Sequence, residues 1–259
     1  MALAAGVDIG SLTAKAVVID SVTHECLGDA LAPTGHRPPA AGEQVLRQAL
    51  QEADVTIDRI DRLVATGYGR ASIKAADQRF TEISCLAAGI HHLLPEVRTA
   101  VDIGGQDSKV ITLDETGYAE GFALNDRCAA GTGRFLEVMA GALGVEIAQL
   151  GRLSLQAEQP AQFSSTCTVF TESELVGMLA EGKSRENIAA GLSRVVAHQV
   201  AALMSQLRYR PPFALVGGVA QNQGVRAALE ELLETDVRVS DQPQMVCALG
   251  AALMGIRML

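Results

Sequence analysis

The sequence predicts an α/β protein built from two related halves, and three observations support this fold class. The 259 residues are 48% hydrophobic, which is enough to bury one large core or two smaller ones. The segments VDIGSLTAKAVVID at 7–20 and VDIGGQDSKVITLD at 101–114 align without a gap. Strand-like apolar runs alternate with amphipathic helical patterns along the rest of the chain. The repeated segment, which opens each half, indicates a duplicated domain.

Both copies of the repeat predict a β-strand, a glycine turn and a second strand. In the first half, AGEQVLRQALQEA predicts an amphipathic helix at 41–53. RLVATGYG predicts a strand that ends in a glycine turn, and CLAAGIHHLL predicts another helix. These elements complete the first domain, which we place at residues 1–95.

The second half, residues 96–259, repeats this alternation. YAEGFALN extends the hairpin into a three-stranded meander, and NDRCAAGTGRFLEVMA leads into a helix. A long helix at 184–207 precedes FALVGGVAQN, which predicts a buried strand and a double-glycine turn. A helix rich in small residues, MVCALGAALMGI, follows near the end of the sequence.

Charge and composition exclude several classes of partner. The net charge is −9 and Lys and Arg form no cluster, which argues against nucleic acid or an anionic membrane. Aromatic residues make up only 3%, so stacking platforms for single strands are not expected. The first residues lack a basic, apolar leader pattern and no run of 18 apolar residues occurs, so we expect a soluble cytoplasmic protein.

The five cysteines contain no C-x-x-C pair, which argues against a zinc finger or a secreted disulfide framework. Cys26, Cys85 and Cys247 lie in apolar or strand-like segments, and we expect them to be small buried hydrophobic residues. Cys128 and Cys167 precede predicted helix starts, where exposed N–H groups favour thiolate over thiol. The expectation of burial therefore does not extend to these two cysteines.

The two repeated turns are candidate phosphate and metal sites. A strand-end carboxylate can orient Mg²⁺, while glycines let backbone N–H groups approach a phosphate. The candidates in the first turn are Asp8, Gly10, Ser11, Thr13 and Lys15, and those in the second are Asp102, Gly104, Gly105 and Gln106. For either turn alone, an ordinary hairpin with a solvated aspartate is the simpler interpretation. The duplication favours two turns that grip a polyphosphate from both sides.

The double-glycine turn is a third candidate site, because Gly217 and Gly218 leave the backbone bare enough to lie against a base or ribose. Asn222 follows them as a further candidate contact to the nucleoside. The chain has no G-x-x-x-x-G-K-[ST] motif, so it is not a P-loop protein. GTGRFL lacks the third glycine of a dinucleotide fingerprint.

Together these motifs resemble the superfamily of actin, sugar kinases and Hsp70. Within it they are similar to the BadF/BadG/BcrA/BcrD family, the ATP-dependent activators of 2-hydroxyacyl-CoA dehydratases. The segments that carry the resemblance are VDIGSLTAK, TEISC, VDIGGQDSKV, NDRCAAGTGRFLEVMA, STCTVFTESELV, GGVAQNQGV and ALGAAL. The resemblance implies two ribonuclease H-like ATPase domains that bind ATP or ADP with Mg²⁺ in a cleft, with Asp102 and Gln106 in the catalytic turn.

The resemblance also implies that Cys128 and Cys167 are iron–sulfur ligands. Four thiolates usually hold a [4Fe–4S] cluster, and one chain offers two, so a homodimer sharing one cluster supplies the set. The implied activity is ATP-driven transfer of one electron at low potential, from reduced ferredoxin or flavodoxin to a dehydratase or reductase that acts on a CoA thioester.

Two other functions remain open from the residues. A small-molecule kinase of the same superfamily would transfer the γ-phosphate to a sugar or an acid, but it leaves both cysteine motifs unexplained. A nucleotide-gated scaffold would bind clients or polymerise, and it would hold no iron. The sequence also departs from the family pattern, with Leu86 and Ala88 after EISC and with Cys247 where glycine is usual.

Overall fold

Two five-stranded mixed sheets organise the protein, described for residues 2–259 in a computed structural model. The first sheet has the strand order β3-β2-β1-β4-β5. Its strands are β1 (Leu3–Ile9), β2 (Thr13–Asp20), β3 (Cys26–Pro33), β4 (Arg62–Thr66) and β5 (Gln78–Arg79). β1 pairs antiparallel with β2 and parallel with β4, so the predicted first hairpin lies at the centre of the sheet.

The second sheet has the strand order β10-β9-β6-β7-β8. Read from the β8 end, it matches the first sheet strand for strand. They are β6 (Thr99–Ile103), β7 (Ser108–Leu113), β8 (Ala119–Asn125), β9 (Phe213–Val216) and β10 (Val237–Arg238). β6 pairs antiparallel with β7 and parallel with β9, as β1 does with β2 and β4. The predicted duplicated α/β fold is confirmed by this shared topology.

Eight α-helices are present in residues 2–259. They are α1 (Pro38–Glu52), α2 (Glu82–Leu93), α3 (Gly133–Leu143), α4 (Ile147–Ser154), α5 (Thr168–Ala180), α6 (Arg185–Met204), α7 (Gln223–Leu233) and α8 (Val246–Ile256). Side-chain caps mark several starts, such as Thr81 at α2 and Ser184 at α6. None of these helices is both long and apolar enough to cross a membrane.

The chain divides into two compact units, each with its own core. The first contains the residues up to Val97, Leu113–Glu120 and Ser240–Leu259, and the second contains Arg98–Thr112 and Gly121–Val239. In the second unit, Phe135, Leu136 and Met139 of α3 join a core that extends under β6, β7 and β9. In the first, the apolar residues of β1, β2 and α1 form the main core.

The domain boundaries expected from the sequence are 1–95 and 96–259, and they stay a prediction. The two compact units differ from these ranges in two places. The last 20 residues belong to the first unit because α8 packs against α2, β1 and β4. A β-carbon at Gly250 of α8 would clash with the Cys85 carbonyl of α2, so only glycine allows this approach. Residues 113–120 belong to the first unit as well, where the Tyr118 ring lies beneath the Arg257 guanidinium.

Candidate functional site

The first repeated turn holds a buried carboxylate paired with a lysine. Asp8 lies near the end of the wholly buried strand β1 and is only 6% exposed. Its cross-strand neighbour on β2 is Lys15, whose Nζ lies 3.0 Å from Asp8 Oδ2. The Gly10 N–H donates to the Thr13 carbonyl across the turn. The turn therefore presents a fixed anion and a fixed cation from adjacent strands.

The second repeated turn has the same arrangement. Asp102 is 7% exposed, and its cross-strand neighbour Lys109 places Nζ 3.4 Å from Asp102 Oδ2. Lys109 also lies 2.8 Å from Asp107 Oδ2, so one ammonium serves two carboxylates. The Gly104 N–H donates to the Asp107 carbonyl, as Gly10 does to Thr13 in the first turn.

A glycine with positive φ covers each buried aspartate. Gly217 has φ +82°, and a β-carbon there would clash with Asp102 Oδ1 and the Ile103 carbonyl. Gly67 has φ +88°, and a β-carbon there would clash with Asp8 Oδ1 in the same way. Glycine is required at both positions, by conformation and by space.

Gly67 is a site residue that the sequence analysis missed, although a signal for it exists. The strand before it pairs parallel with β1 and sets Thr66 opposite Asp8, as β9 sets Val216 opposite Asp102. In both halves a short apolar strand is followed at once by this glycine. The repeat therefore extends beyond the hairpins to the next parallel strand, where Gly67 corresponds to Gly217.

The other predicted nucleotide contacts differ in exposure. Gln106 and Gly218 are exposed, while Ser11 is half-buried in the first turn. Asn222 also has a structural role that its sequence pattern did not predict. Its Oδ1 accepts the Gly224 and Val225 N–H groups and so caps α7. Its contact with a nucleoside stays a prediction.

The Asp102 turn is also joined to the helix that follows Cys128. The Gly133 N–H donates to the Gly104 carbonyl at 2.9 Å, and the Arg134 N–H donates to the Gly105 carbonyl at 2.8 Å. The first N–H groups of a helix have no partner within the helix, so these carbonyls act as its cap. The candidate phosphate turn and the start of α3 thus form one hydrogen-bonded structure.

The five cysteines fall into different environments. Cys128 and Cys167 are exposed, whereas Cys85 is buried in α2. Burial, with a further contribution from the Asp8 and Glu82 charges, raises the pKa of the Cys85 thiol to about 12, which makes it a poor ligand and nucleophile. The expectation that Cys26 is buried is wrong, because it is exposed at the start of β3.

The two candidate ligands are placed differently with respect to their helices. Cys167 is the N-cap residue of α5, as predicted. Cys128 does not begin a helix, because α3 starts only at Gly133 and a turn with Gly131 at φ +79° intervenes. Helices α3 and α5 pack against each other in the second unit.

Comparison with known proteins decides the family. The profile of the BadF/BadG/BcrA/BcrD ATPase family matches residues 5–255. This protein belongs to that family. The family is one of ATPases, so the ATPase class that the resemblance implies is confirmed.

Members of the BadF/BadG/BcrA/BcrD family with assigned names are similar over nearly the whole chain. The 2-hydroxyisocaproyl-CoA dehydratase activator of Clostridioides difficile is 40% identical, with 96% of this chain and 92% of the relative covered. The activator of lactoyl-CoA dehydratase of Anaerotignum propionicum is 43% identical, with 96% and 95% covered.

Solved structures agree with this assignment. Component A of the (R)-2-hydroxyglutaryl-CoA dehydratase of Acidaminococcus fermentans superposes with a TM-score of 0.96 at 38% identity, covering 100% of this chain and 99% of that one. The activator of the 2-hydroxyisocaproyl-CoA dehydratase from Clostridium difficile, with bound ADPNP, gives 0.93 at 38% identity, covering 99% and 95%. A glucokinase of the ROK family from Streptomyces griseus, at 12% identity and 0.61, shows the shared fold alone.

The side chains of this BadF-family ATPase suit the groups that the resemblance implies. Asp8 and Asp102 offer the hard oxygen ligands that Mg²⁺ prefers. The exposed thiols of Cys128 and Cys167 offer the soft ligands that iron–sulfur clusters need. Next to Cys167, the buried Thr168 Oγ1 has no hydrogen-bond partner within residues 2–259 and so retains a donor for a thiolate or sulfide.

The number of thiols limits how a cluster can be held. Within the described residues, no group of three or more His, Cys, Asp or Glu side chains comes together as a metal site. A four-thiolate set needs two thiols besides Cys128 and Cys167.

Proposed function

We propose that this protein is an ATP-dependent activator that delivers single electrons to a 2-hydroxyacyl-CoA dehydratase or a related CoA-thioester reductase. The observation that carries the proposal is similarity over the whole chain to named dehydratase activators, at 40% and 43% identity with 96% of the chain covered. Since family membership covers both units, ATP hydrolysis and partner activation belong to one polypeptide.

The proposed nucleotide residues follow from the two repeated turns. Asp8 and Asp102 hold Mg²⁺ or its water shell, and the lysines paired with them balance the phosphate charge. The remaining phosphate contacts are Gly10, Ser11, Thr13, Lys15, Gly104, Gly105 and Gln106. Gln106, exposed in its turn, orients the attacking water, while Gly217, Gly218 and Asn222 contact the nucleoside.

The proposed electron site is a [4Fe–4S] cluster held by Cys128 and Cys167 from each copy of a homodimer. A cluster of this type supplies low-potential one-electron chemistry. Val169 and Phe170, in the first turn of α5 beside Cys167, are 66% and 64% exposed, which suits a surface that a second copy covers. Cys167 is the N-cap residue of α5, and the first N–H groups of a helix suit an anionic group such as a cluster.

The partners proposed for this activator complete an electron path. Reduced ferredoxin or flavodoxin is the donor, and the dehydratase or reductase is the acceptor. Since both donors are soluble electron carriers, we place the protein in the cytoplasm.

Iron analysis after anaerobic purification tests the function. We expect about four irons and four sulfides per dimer, a visible iron–sulfur spectrum and Mg²⁺-dependent ATP hydrolysis. Cys128→Ser and Cys167→Ser should each lose the iron and weaken the dimer. Cys26→Ser is the matched control, because this thiol is also exposed, and it should keep the iron.

Three results would contradict the proposal in different ways. Iron retained in both ligand variants but lost from the Cys26 control would show that the ligands are wrong. A phosphorylated small-molecule product would favour a kinase. Nucleotide binding without iron, in protein purified and reconstituted without oxygen, would favour a scaffold.

A further inference from the structure

The loop that carries Cys128 is held by one side chain, that of Asn125. Asn125 Nδ2 donates to the carbonyls of Cys128, at 2.9 Å, and Ala130, at 3.0 Å. Asn125 Oδ1 accepts the Cys128 N–H at 3.2 Å. The oxygen and the nitrogen of the Asn125 amide therefore both form hydrogen bonds with the backbone next to the thiol. These bonds fix the direction of the chain at Cys128, just after the end of β8.

From Cys128 the hydrogen bonds continue to the candidate phosphate turn. The Thr132 N–H and hydroxyl both donate to the Ala129 carbonyl, which closes the turn before α3. The next two N–H groups, of Gly133 and Arg134, donate to the carbonyls of Gly104 and Gly105. A β-carbon at Gly133 would lie 3.1 Å from the Gly104 carbonyl oxygen, so the start of α3 and the turn are in close contact.

The loop that carries Cys167 is held by groups of its own segment. The Ser164 N–H and hydroxyl donate to the carboxylate of Glu174, one helical stretch ahead in α5. These two hydrogen bonds hold the pKa of Glu174 below its usual value. Ser165 accepts the Cys167 N–H with its hydroxyl and the Thr171 hydroxyl with its carbonyl. Residues 164–174 thus form a self-contained clamp.

We propose that Asn125 is a positioning residue that ties Cys128 to the Gly104–Gly105 turn, so that Cys128 is the ligand whose setting responds to nucleotide. Cys167, whose N–H is held by Ser165 next to the Ser164–Glu174 pair, keeps its setting whichever nucleotide is bound. The inference rests on the proposed function, because it needs nucleotide at the Asp102 turn and iron at the cysteines. It assigns different roles to the two ligands: the setting of Cys128 changes with the bound nucleotide, and that of Cys167 does not.

Hydrogen exchange on the wild-type protein tests the link without any variant. Backbone amide exchange is compared without nucleotide, with ADP and with a non-hydrolysable ATP analogue, each with Mg²⁺. We expect protection of residues 102–107 and 128–134 to change together by about fivefold or more between ADP and the analogue, the lower end of typical coupling between sites. Protection of residues 164–171 should change by less than about twofold.

The exchange data separate two kinds of failure. If nucleotide leaves residues 102–107 unchanged, the proposed function fails, and the inference fails with it. If residues 102–107 respond while 128–134 do not, or if 164–171 respond equally, the inference alone is overturned.

Two variants test the hydrogen bonds that hold the two cysteine loops. One replaces a side-chain nitrogen by oxygen, and the other replaces a side-chain oxygen by nitrogen. Asn125→Asp keeps the acceptor for the Cys128 N–H but removes both donors, whereas Glu174→Gln weakens the clamp on Ser164. The measurement is the rate of iron loss to a chelator with ADP and with the ATP analogue. We expect Asn125→Asp to bring the ratio of these rates close to one. Glu174→Gln should speed iron loss in both states and keep the ratio.

An unchanged ratio in Asn125→Asp, or a ratio lost in Glu174→Gln, would overturn the assignment of tasks. If Asn125→Asp holds no iron, the same variant is measured by hydrogen exchange in its iron-free form. There, nucleotide should still change protection at residues 102–107 but no longer at Cys128 and Ala129. Continued coupling in that variant would count against Asn125.

Discussion

The Asp8 turn and the Asp102 turn share their strand order, cross-strand register and lysine partner, but their carbonyls serve different neighbours. In the first turn, the Gly10 carbonyl accepts the Thr34 hydroxyl, and the Leu12 carbonyl accepts the Thr34 N–H. In the second turn, the Gly104 and Gly105 carbonyls accept the first N–H groups of α3. One copy of the duplicated hairpin is therefore fastened to a loop, and the other caps a helix.

This difference shows how a duplicated hairpin can acquire a second task without losing the first. The carboxylate, the lysine and the covering glycine are kept in both copies. In the second copy, the glycine carbonyls accept the first N–H groups of α3, which follows the Cys128 loop. A change at its glycine carbonyls moves a helix start, whereas the same change in the first turn moves only a loop.

The largest expected effect comes from removing one carboxylate charge. Asp102→Asn should lower Mg²⁺-dependent ATP hydrolysis by on the order of a hundredfold, because an amide is a poor ligand for Mg²⁺ and no longer balances Lys109. The fold should survive, since Lys109 keeps its pair with Asp107. Steady-state hydrolysis over a range of Mg²⁺ concentrations measures the loss, and circular dichroism checks the fold.

The matched variant Asp8→Asn decides how alike the two turns are. Equal losses would mean that both turns contribute to one metal and phosphate site. Full activity in Asp8→Asn, with loss in Asp102→Asn, would limit the catalytic role to the second copy. Undiminished hydrolysis in Asp102→Asn would remove that residue from the mechanism.

A smaller effect is expected from the two covering glycines. Gly67→Ala and Gly217→Ala should each lower the free energy of unfolding by about 1–3 kcal/mol, because alanine is strained at positive φ and its β-carbon clashes with the aspartate. Gly141→Ala on α3 is the control, since nothing lies near its added β-carbon, and it should be neutral or stabilising. Urea unfolding measures all three. A neutral Gly67→Ala would break the equivalence of the two halves.

Local patterns predicted most elements of this fold, because the strand and helix periods are strong in a chain with so many buried aliphatic residues. The repeat also located both buried aspartates, and Lys15 beside the first of them. What local patterns did not predict are contacts that form only after folding, such as the Asn125 clamp and the packing of Gly250 against Cys85. The exposure of Cys26 was missed for the same reason, since a strand pattern does not show which strand lies at a sheet edge.

The smallest effect concerns a feature found in the first unit, the ring contact between His24 and His92 with centroids 5.6 Å apart. Burial, together with the nearby charges of His24 and His91, holds the pKa of His92 below its ordinary value of 6.5. The unfolded chain therefore takes up a proton at His92 more readily than the folded chain does. The contribution of His92 to stability is present above about pH 6.5 and is lost as the pH falls below that value.

His92→Gln should remove this proton uptake and make stability less dependent on pH. We expect the difference in urea midpoint between about pH 7.5 and about pH 5.5 to shrink in this variant, because the depressed pKa of His92 contributes to that difference. His198→Gln in the second unit is the control and should keep the wild-type difference. Equal pH dependence in wild type and His92→Gln would show that His92 adds nothing to the pH dependence of stability.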